Sequence, residues 1–364
     1  MSEQPKYLMV ADTLRREIAE GKFRDGQALM TEEELRMHFG VSRQTIRQAI
    51  ALLEDDGLVD RRRGSGTYVR HGPRKRQGLV HVAVLMNYIT EYICPAIISG
   101  IESTMNERGA IMSLSATSGD SRLERSILER LRDGQVDGLI VDGSHMARGT
   151  MNLDYYHRLA ERNIPVLFMN GYYPGLEMVP HVVMDDYGGG RMAAREILKR
   201  GYRKPAGVFK TDDFQGDERA RGFLDEMKEQ GVPVPEENLL LFGTAERMSL
   251  FETRAGKKLI GRITEKREID AVACYNDIFA VTLMATLEAA GMKLPEDMGI
   301  IGFDNADVGA VYRPGLTTLG HRKEQFGALA ASKILNMISG EREGSEKMGW
   351  TLIERESLPG AGRA

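Results

Sequence analysis

The chain has 364 residues, with 49 Lys and Arg against 53 Asp and Glu, a formal charge of −4. That length leaves room for two or three domains with real cores, and 42% hydrophobic with 28% charged residues excludes a disordered or fibrous chain. No apolar run approaches the ~18 residues that span a bilayer. The N-terminus lacks a basic-then-apolar export layout, and Cys94 and Cys274 are too few and too far apart for a disulfide framework or a four-ligand zinc site. The expectation is a cytoplasmic protein with no membrane partner, no metal and no cofactor.

A near-neutral total speaks against nucleic acid only if the charge is evenly spread. Residues 1–77 carry 15 basic and 12 acidic side chains, a net of +3, and the remainder carries 34 and 41, a net of −7. The basic excess is local: RRRGSGTYVRHGPRKR (61–76) holds seven Lys or Arg and no acid. Such a run is a reason to search beside it for a nucleic-acid motif.

Val10, Leu14 and Ile18 form one apolar stripe and predict a first helix. After Gly21 and Gly26, Thr31-Glu32-Glu33-Glu34 reads as a capping box opening a short helix with Leu35 and Phe39 on one face. Gly40 supplies the turn, and Ser42 is a natural N-cap for a third helix. Ile46, Ile50 and Leu53 turn inward there, so Arg43, Gln44 and Arg47 turn outward from its start. Leu58-Val59 and Thr67–Val69 predict two short strands closed by Gly64-Ser65-Gly66.

Three helices and a basic hairpin describe a winged helix-turn-helix. A recognition helix enters the major groove N-terminus first, where Arg can fork onto guanine and Gln can pair with adenine. The free N–H groups at the helix start, with the Ser42 and Thr45 hydroxyls, suit a phosphate oxygen. The segment LMTEEELRMHFGVSRQTIRQAIALLEDDGLVDRRRGSGTYV closely resembles the GntR-type DNA-binding domain, through residues 5–70. That resemblance implies contact with double-stranded operator DNA by Glu32, Arg43, Gln44, Thr45 and Arg47 and by the wing residues Arg63, Gly64 and Ser65. Glu32 is the odd member, because a carboxylate in a first turn also serves as a partner of the helix dipole.

Beyond a linker at 71–78, short apolar runs alternate with helical stretches. Strands are expected at 80–86, 110–114, 138–141, 166–169, 182–184, 206–209, 239–242, 271–273 and 299–303. Helices are expected at 121–133, 187–200, 218–230 and 278–290. This alternation predicts parallel sheets covered on both faces, and nine strands predict two lobes, with the changeover near 171–182. Ligands of such folds sit beyond the carboxyl ends of strands. The residues there are Tyr88, Glu91, Tyr92, Asp142, Ser144, Asn170, Lys210, Asp212, Gln215, Asn276, Asp277 and Asp304. Carboxylates and amides with aromatic plates suit the vicinal hydroxyls and C–H faces of a small sugar.

Residues 79–357 resemble the periplasmic-binding-protein-like effector domain of LacI-type repressors. The ordered matches include DGLIVDGS (137–144), IPVLFMN (164–170), MDDYGGGRMAAREILKRGYR (184–203), ERARGF (218–223), CYNDIFA (274–280) and PEDMGIIGFDN (295–305), with LTTLGH and LIERES closing the series. The resemblance implies effector contacts at Tyr88, Asn170, Arg219, Asn276, Asp304 and His321. At His321 this chain departs from the polar amide or acid often found in that family. The segments YITEYICPAIISGIES and FKTDDFQGDERARGF further resemble regulators that answer to arabinose, which implies L-arabinose as the favoured effector.

The expected fold is therefore a small α+β winged helix-turn-helix (1–70), the linker, a two-lobed α/β periplasmic-binding-protein-like domain (79–357) and a tail (358–364). The expected protein is a homodimeric, sugar-responsive repressor and not an enzyme. A transport receptor is the rival reading, and the sign of the sugar effect is left open. Gly188-Gly189-Gly190 lacks the lysine of a phosphate loop, Asp185 and Asp186 make a poor catalytic pair, and the seven His residues show no metal-ligand spacing.

Overall fold

The computed structural model describes residues 5–62, 65–69, 79–90, 92–131, 136–144 and 152–360. The expected linker 71–78 and the site residues Arg63, Gly64 and Glu91 lie outside the described residues. The chain divides into a small N-terminal unit and a large one.

In the small unit, α1 (Lys6–Ala19), α2 (Glu32–Phe39) and α3 (Arg43–Asp55) precede a two-stranded antiparallel hairpin, β1 (Val59–Arg62) and β2 (Gly66–Val69). The capping box forms as expected: the Glu34 N–H donates to Thr31 Oγ1 at 3.3 Å, and the Thr31 N–H donates to Glu34 Oε2 at 2.7 Å. Gly40 ends α2 at φ +63°, a conformation that costs glycine nothing. Val10, Leu14, Leu35, Ile46, Ile50, Leu53, Val59 and Val69 close one core. The first wing strand starts one residue later than expected and runs on through Arg62, because Arg62 pairs with Gly66 across the ladder.

The large unit contains two six-stranded sheets. The first is built from β3 (Val80–Met86), α4 (Cys94–Glu107), β4 (Ala110–Ala116), α5 (Ser121–Leu131), β5 (Gly138–Asp142), α6 (Leu153–Glu161), β6 (Val166–Met169) and β7 (His181–Met184). The second follows from α7 (Asp186–Lys199), β8 (Pro205–Lys210), α8 (Phe214–Glu229), β9 (Leu239–Phe242), α9 (Arg254–Thr264), β10 (Ala271–Cys274), α10 (Asp277–Ala289), β11 (Gly299–Phe303), α11 (Asp307–Val311) and β12 (Thr317–Gly320). The chain then returns through α12 (Lys323–Ile338) to β13 (Glu346–Met348) in the first sheet, and ends with β14 (Thr351–Ile353) in the second. Every pairing in the first sheet is parallel, and in the second only β12 with β14 is antiparallel. Central strands such as β5 and β11 are buried along their whole length, as parallel strands covered on both faces must be.

The changeover differs from the expected 171–182. β7 pairs with β6 and β13, so the chain leaves the first sheet only after Met184. Three crossovers result, near Asp185, His321 and Trp350, whereas a single pass was read from the sequence. The strands β12, β13 and β14 were not among the expected strands.

The glycine run has a packing explanation. A Cβ on Gly190 would lie 2.1 Å from the Arg219 carbonyl oxygen, and one on Gly222 would lie 2.0 Å from that of Tyr187. α7 and α8 therefore meet backbone to backbone. A Cβ on Gly189 would lie 2.7 Å from the Trp350 ring. Gly190→Ala is expected to destabilise the protein by about 1–3 kcal/mol in urea unfolding, since neither backbone can yield cheaply. Gly344→Ala, whose Cβ meets nothing within 4 Å, is the matched control and should stay within about 0.5 kcal/mol of the parent.

Candidate functional site

The outward face of α3 carries the expected polar set. Ser42 is the N-cap and accepts from the Thr45 N–H at 3.1 Å, and its hydroxyl lies 2.8 Å from that of Thr45. Arg43, Gln44 and Arg47 are exposed. Glu32, in the first turn of α2, accepts from Arg43 Nε at 3.2 Å and from Arg47 Nε at 3.1 Å. Arg61 lies 3.7 Å from its other oxygen. Burial opposes its charge, but the hydrogen bonds from Arg47 and Arg43 hold the Glu32 carboxyl below the usual range. In the wing, the Ser65 and Tyr68 hydroxyls meet at 2.7 Å, and the Arg62 guanidinium lies 4.6 Å above the Tyr68 ring.

In the large unit Arg219 and Asp304, two of the expected ligand residues, meet in one buried ionic cluster. Arg219, only 3% exposed on α8, donates through Nε to Asp186 at 2.8 Å, through Nη2 to Asp304 at 3.3 Å and through Nη1 to the Tyr275 carbonyl at 2.7 Å. Its guanidinium lies 4.6 Å from the Phe303 ring centre, 4.9 Å from Trp350 and 5.4 Å from Tyr275. Burial works against the charge, yet Asp304 and Asp186 keep Arg219 firmly protonated. The same burial pushes Asp186 up to about 7 despite Arg219. His321 sits 5.3 Å from the Trp350 ring, and burial lowers it to about 4, so its imidazole is neutral at physiological pH. Among the described residues, Asp186 Oδ2 and His321 Nδ1 are buried without a hydrogen-bond partner. One acceptor and one donor-or-acceptor are thus left over beside aromatic rings.

This knot stands where the crossovers meet. Trp350 Nε1 donates to the Asp185 carbonyl at 3.1 Å, which joins the passage into α7 to the passage between β13 and β14. A second ionic group continues from it: Tyr275 Oη donates to Asp213 at 2.7 Å, and Lys210 bridges Asp213 at 3.0 Å and Asp212. Asp212 also accepts from the Thr244 N–H at 2.7 Å. Asn276 caps α10 by accepting from the Phe279 N–H at 3.2 Å. Gln215 is half-buried at the start of α8.

Residues from the first sheet face these. Tyr92, at φ +59°, donates through Oη to the Phe303 carbonyl at 2.9 Å and accepts from the Asp277 N–H at 3.3 Å, binding one lobe to the other. Arg247 lies 4.7 Å above the Tyr88 ring, and the Phe214 N–H donates to the Ser144 carbonyl at 3.0 Å. Asp142 accepts from the N–H groups of Asn87 at 3.3 Å and Ser144 at 3.1 Å, and Asn170, at φ +62°, bonds to it as well.

Comparison with known proteins follows this geometry. Residues 6–69 match the family described as "Bacterial regulatory proteins, gntR family", and residues 194–358 match "Periplasmic binding protein-like domain". The chain is 34% identical to an arabinose metabolism transcriptional repressor of Geobacillus stearothermophilus, over 97% of this chain and 96% of that one. A repressor of the same name from Halalkalibacterium halodurans is 30% identical over 93% and 91%. The chain belongs to this family of DNA-binding transcriptional repressors. Among solved structures, a periplasmic binding protein/LacI transcriptional regulator from Alkaliphilus metalliredigens QYMF complexed with D-xylulofuranose is 25% identical, with a TM-score of 0.63 over 76% of this chain and 98% of that one. A LacI family regulator from Enterococcus faecium with bound ribose is also 25% identical, with a TM-score of 0.61 over 77% and 99%.

Sequence reasoning missed several members of the knot. Trp350 is the only tryptophan in the chain, which was a usable signal, but it lies far from any expected strand end. Asp186 was weighed only as half of a catalytic pair. In the structure Asp185 caps α7, accepting from the Gly188 N–H at 3.2 Å, and Asp186 turns inward to Arg219. Phe303, Tyr275, Asp213 and Arg247 also went unassigned as contact groups. Among the described residues no His, Cys, Asp and Glu cluster is placed to hold a metal ion, and no helix is long and apolar enough to cross a membrane.

Asp277 gives a pH test of this electrostatic reading. Fully buried, it accepts from the Thr318 hydroxyl at 2.6 Å and the Ala306 N–H at 2.7 Å, yet burial raises it to about 7. An unfolded aspartate titrates near 4, so the folded protein holds a proton that the unfolded chain releases between those values. That stabilising contribution is present below pH ~4 and is lost as pH rises towards 7. Asp277→Asn, which cannot titrate, should therefore gain on the parent across this window, by at most ~1.4 kcal/mol per pH unit. Urea unfolding of both proteins at pH 5 and pH 7 measures the change; a constant difference would mean that Asp277 titrates normally.

Proposed function

We propose that this repressor is a cytoplasmic homodimer that grips a near-palindromic operator and is released when a small sugar occupies the cleft between the two lobes, L-arabinose being the favoured sugar. The observation that carries this reading is the Arg219 knot, where three crossovers converge on aromatic faces and on two unsatisfied polar atoms, Asp186 Oδ2 and His321 Nδ1. Sugars present paired hydroxyl donors and flat C–H faces, which match leftover carboxylate oxygens and aromatic side chains. The names of the two repressors and the pentose-derived ligands in the two solved structures support the choice of a five-carbon sugar.

In this proposal Asp186, Asp304, Arg219, His321 and Trp350 form one wall of the sugar site. Tyr88, Asn170, Lys210, Asp212, Gln215 and Asn276 supply further contacts, and Asp142 acts mainly by shaping the loop that bears Ser144. No residue is assigned a catalytic role. Arg43, Gln44 and Arg47 read bases, Ser42 and Thr45 meet phosphate, and the wing, with Arg63, Gly64 and Ser65, follows the backbone. Ile278, Val308 and Val311 stand exposed on the neighbouring helices α10 and α11 and are apolar surface suited to a partner subunit.

The test couples two measurements. L-Arabinose should raise the thermal midpoint of the full chain above that seen with other pentoses and hexoses, and at saturation it should weaken operator binding at least tenfold in a gel shift. Unchanged operator affinity at saturating sugar would overturn the reading, and a larger response to another sugar would replace L-arabinose. Arg43→Ala should abolish operator binding while the sugar-induced thermal shift persists. Loss of both would indicate misfolding instead.

A further inference from the structure

The turn after β11 has a backbone that its own residues would not choose. Asp304 lies at φ +91° and Asn305 at φ +47°, and Asp304 stands well outside the left-handed window of roughly +50 to +70°. Such positions persist only where their surroundings fix them. Each N–H of the turn is used: that of Asp304 donates to the Leu319 carbonyl at 2.6 Å, that of Asn305 to Thr318 Oγ1 at 3.3 Å and that of Ala306 to Asp277 Oδ2 at 2.7 Å. Asn305 accepts two further bonds, and they come from different lobes. Within the second lobe, Arg355 Nη2 donates to Asn305 Oδ1 at 2.7 Å while its Nη1 donates to the Leu316 carbonyl at 2.7 Å. From the start of α12, Lys323 Nζ donates to the Asn305 carbonyl at 2.8 Å. α12 packs on the first lobe: a Cβ on Gly327 would lie 2.0 Å from the Ile97 carbonyl oxygen of α4, and Arg108, just beyond α4, donates to Asn336 at 2.8 Å.

We propose that Asn305 is a positioning residue of the sugar site: it fixes the turn that aims the Asp304 carboxylate at Arg219, and through Lys323 it makes that aim depend on the first lobe. Asn305 acts through Asp304 and need not touch the sugar. Asparagine suits the place because it tolerates a left-handed backbone and still offers an acceptor to Arg355, whereas glycine meets only the first demand. The inference rests on the proposed role of Asp304 in a sugar site, and the experiment separates the two.

Dissociation constants for L-arabinose are measured on the full chain by isothermal titration calorimetry, and thermal midpoints are recorded without sugar. Asn305→Gly should weaken L-arabinose about tenfold while its sugar-free midpoint stays close to the parent's, since glycine accepts the positive φ at no steric cost. Asn305→Asp keeps an acceptor for Arg355 and should recover most of that loss. Lys323→Met should weaken the sugar about three- to tenfold, and Lys323→Arg should recover part of it. Both arms act on one turn, so combining Lys323→Met with Asn305→Gly should cost clearly less than the product of the two single losses. A turn that serves only the fold predicts parent-like sugar affinity in Asn305→Gly, and that result overturns the proposal. So does an equal loss in Asn305→Asp, and so does a double variant that loses the full product, which would make Lys323 act apart from Asn305. If Asn305→Gly does not fold, Lys323→Met decides the matter, and parent-like affinity there overturns the proposal. Asp304→Asn tests the underlying reading: if the wild type binds no L-arabinose, or Asp304→Asn binds it equally well, the role of Asp304 fails and this inference falls with it.

Discussion

A guanidinium removed from water must find its counter-charges in the protein, and Arg219 imposes that requirement on the large unit. Its partners come from three places: Asp186 at the head of α7, Asp304 beyond β11 and the carbonyl of Tyr275 beyond β10. Removing one partner of such a buried set typically costs ~3–5 kcal/mol, because the remaining charge is stranded. The segments bearing these groups are held together accordingly. The backbone contacts of α7 with α8 at Gly190 and Gly222 are the steric counterpart, since Asp186 reaches Arg219 only if the two helices touch.

The knot is also charge-unbalanced. One cation faces two carboxylates, and burial raises Asp186 to about 7, so the cluster carries a partial excess of negative charge at neutral pH. A ligand hydroxyl donating to Asp186 Oδ2 relieves that excess more cheaply than bulk water can in an enclosed site. Asp186 and Trp350 belong to segments that cross between the lobes. Tyr92, bonded to the second lobe through Phe303 and Asp277, ties the lobes together beside the crossovers.

The parts of this molecule legible in the sequence are those with local causes. The capping box at Thr31, the turn at Gly40, the inward stripe of α3 and the buried strands β3, β6 and β11 follow from periodicity and turn chemistry within a few residues. Arg219, Asp304 and His321 were reachable because an ordered series of motifs placed them. The changeover after Met184 was not legible, since β7 looks the same whether it closes the first sheet or opens the second. Its pairings with β6 and, some 160 residues later, with β13 decide. Asp186 and Trp350 failed for the same reason: their partners are distant in sequence, and nothing local marks a carboxylate beneath a guanidinium or an indole across a crossover.

Both units use carboxylates to hold arginines, and burial decides what each arrangement can do. Glu32 and its arginines are wet, where an ion pair is worth only ~0.2–1 kcal/mol and is screened by salt. Such a pair can be given up for a guanine edge or for phosphate, and so can be tuned by what it is exchanged for. Arg219 with Asp186 is 3% exposed and has no comparable exchange available, so its geometry persists and changes only when the segments that carry it move. The distribution of charge agrees with this division: the basic excess is confined to the small unit, where contacts must be made and broken, and the acidic surplus of the large unit weakens its own attraction to DNA.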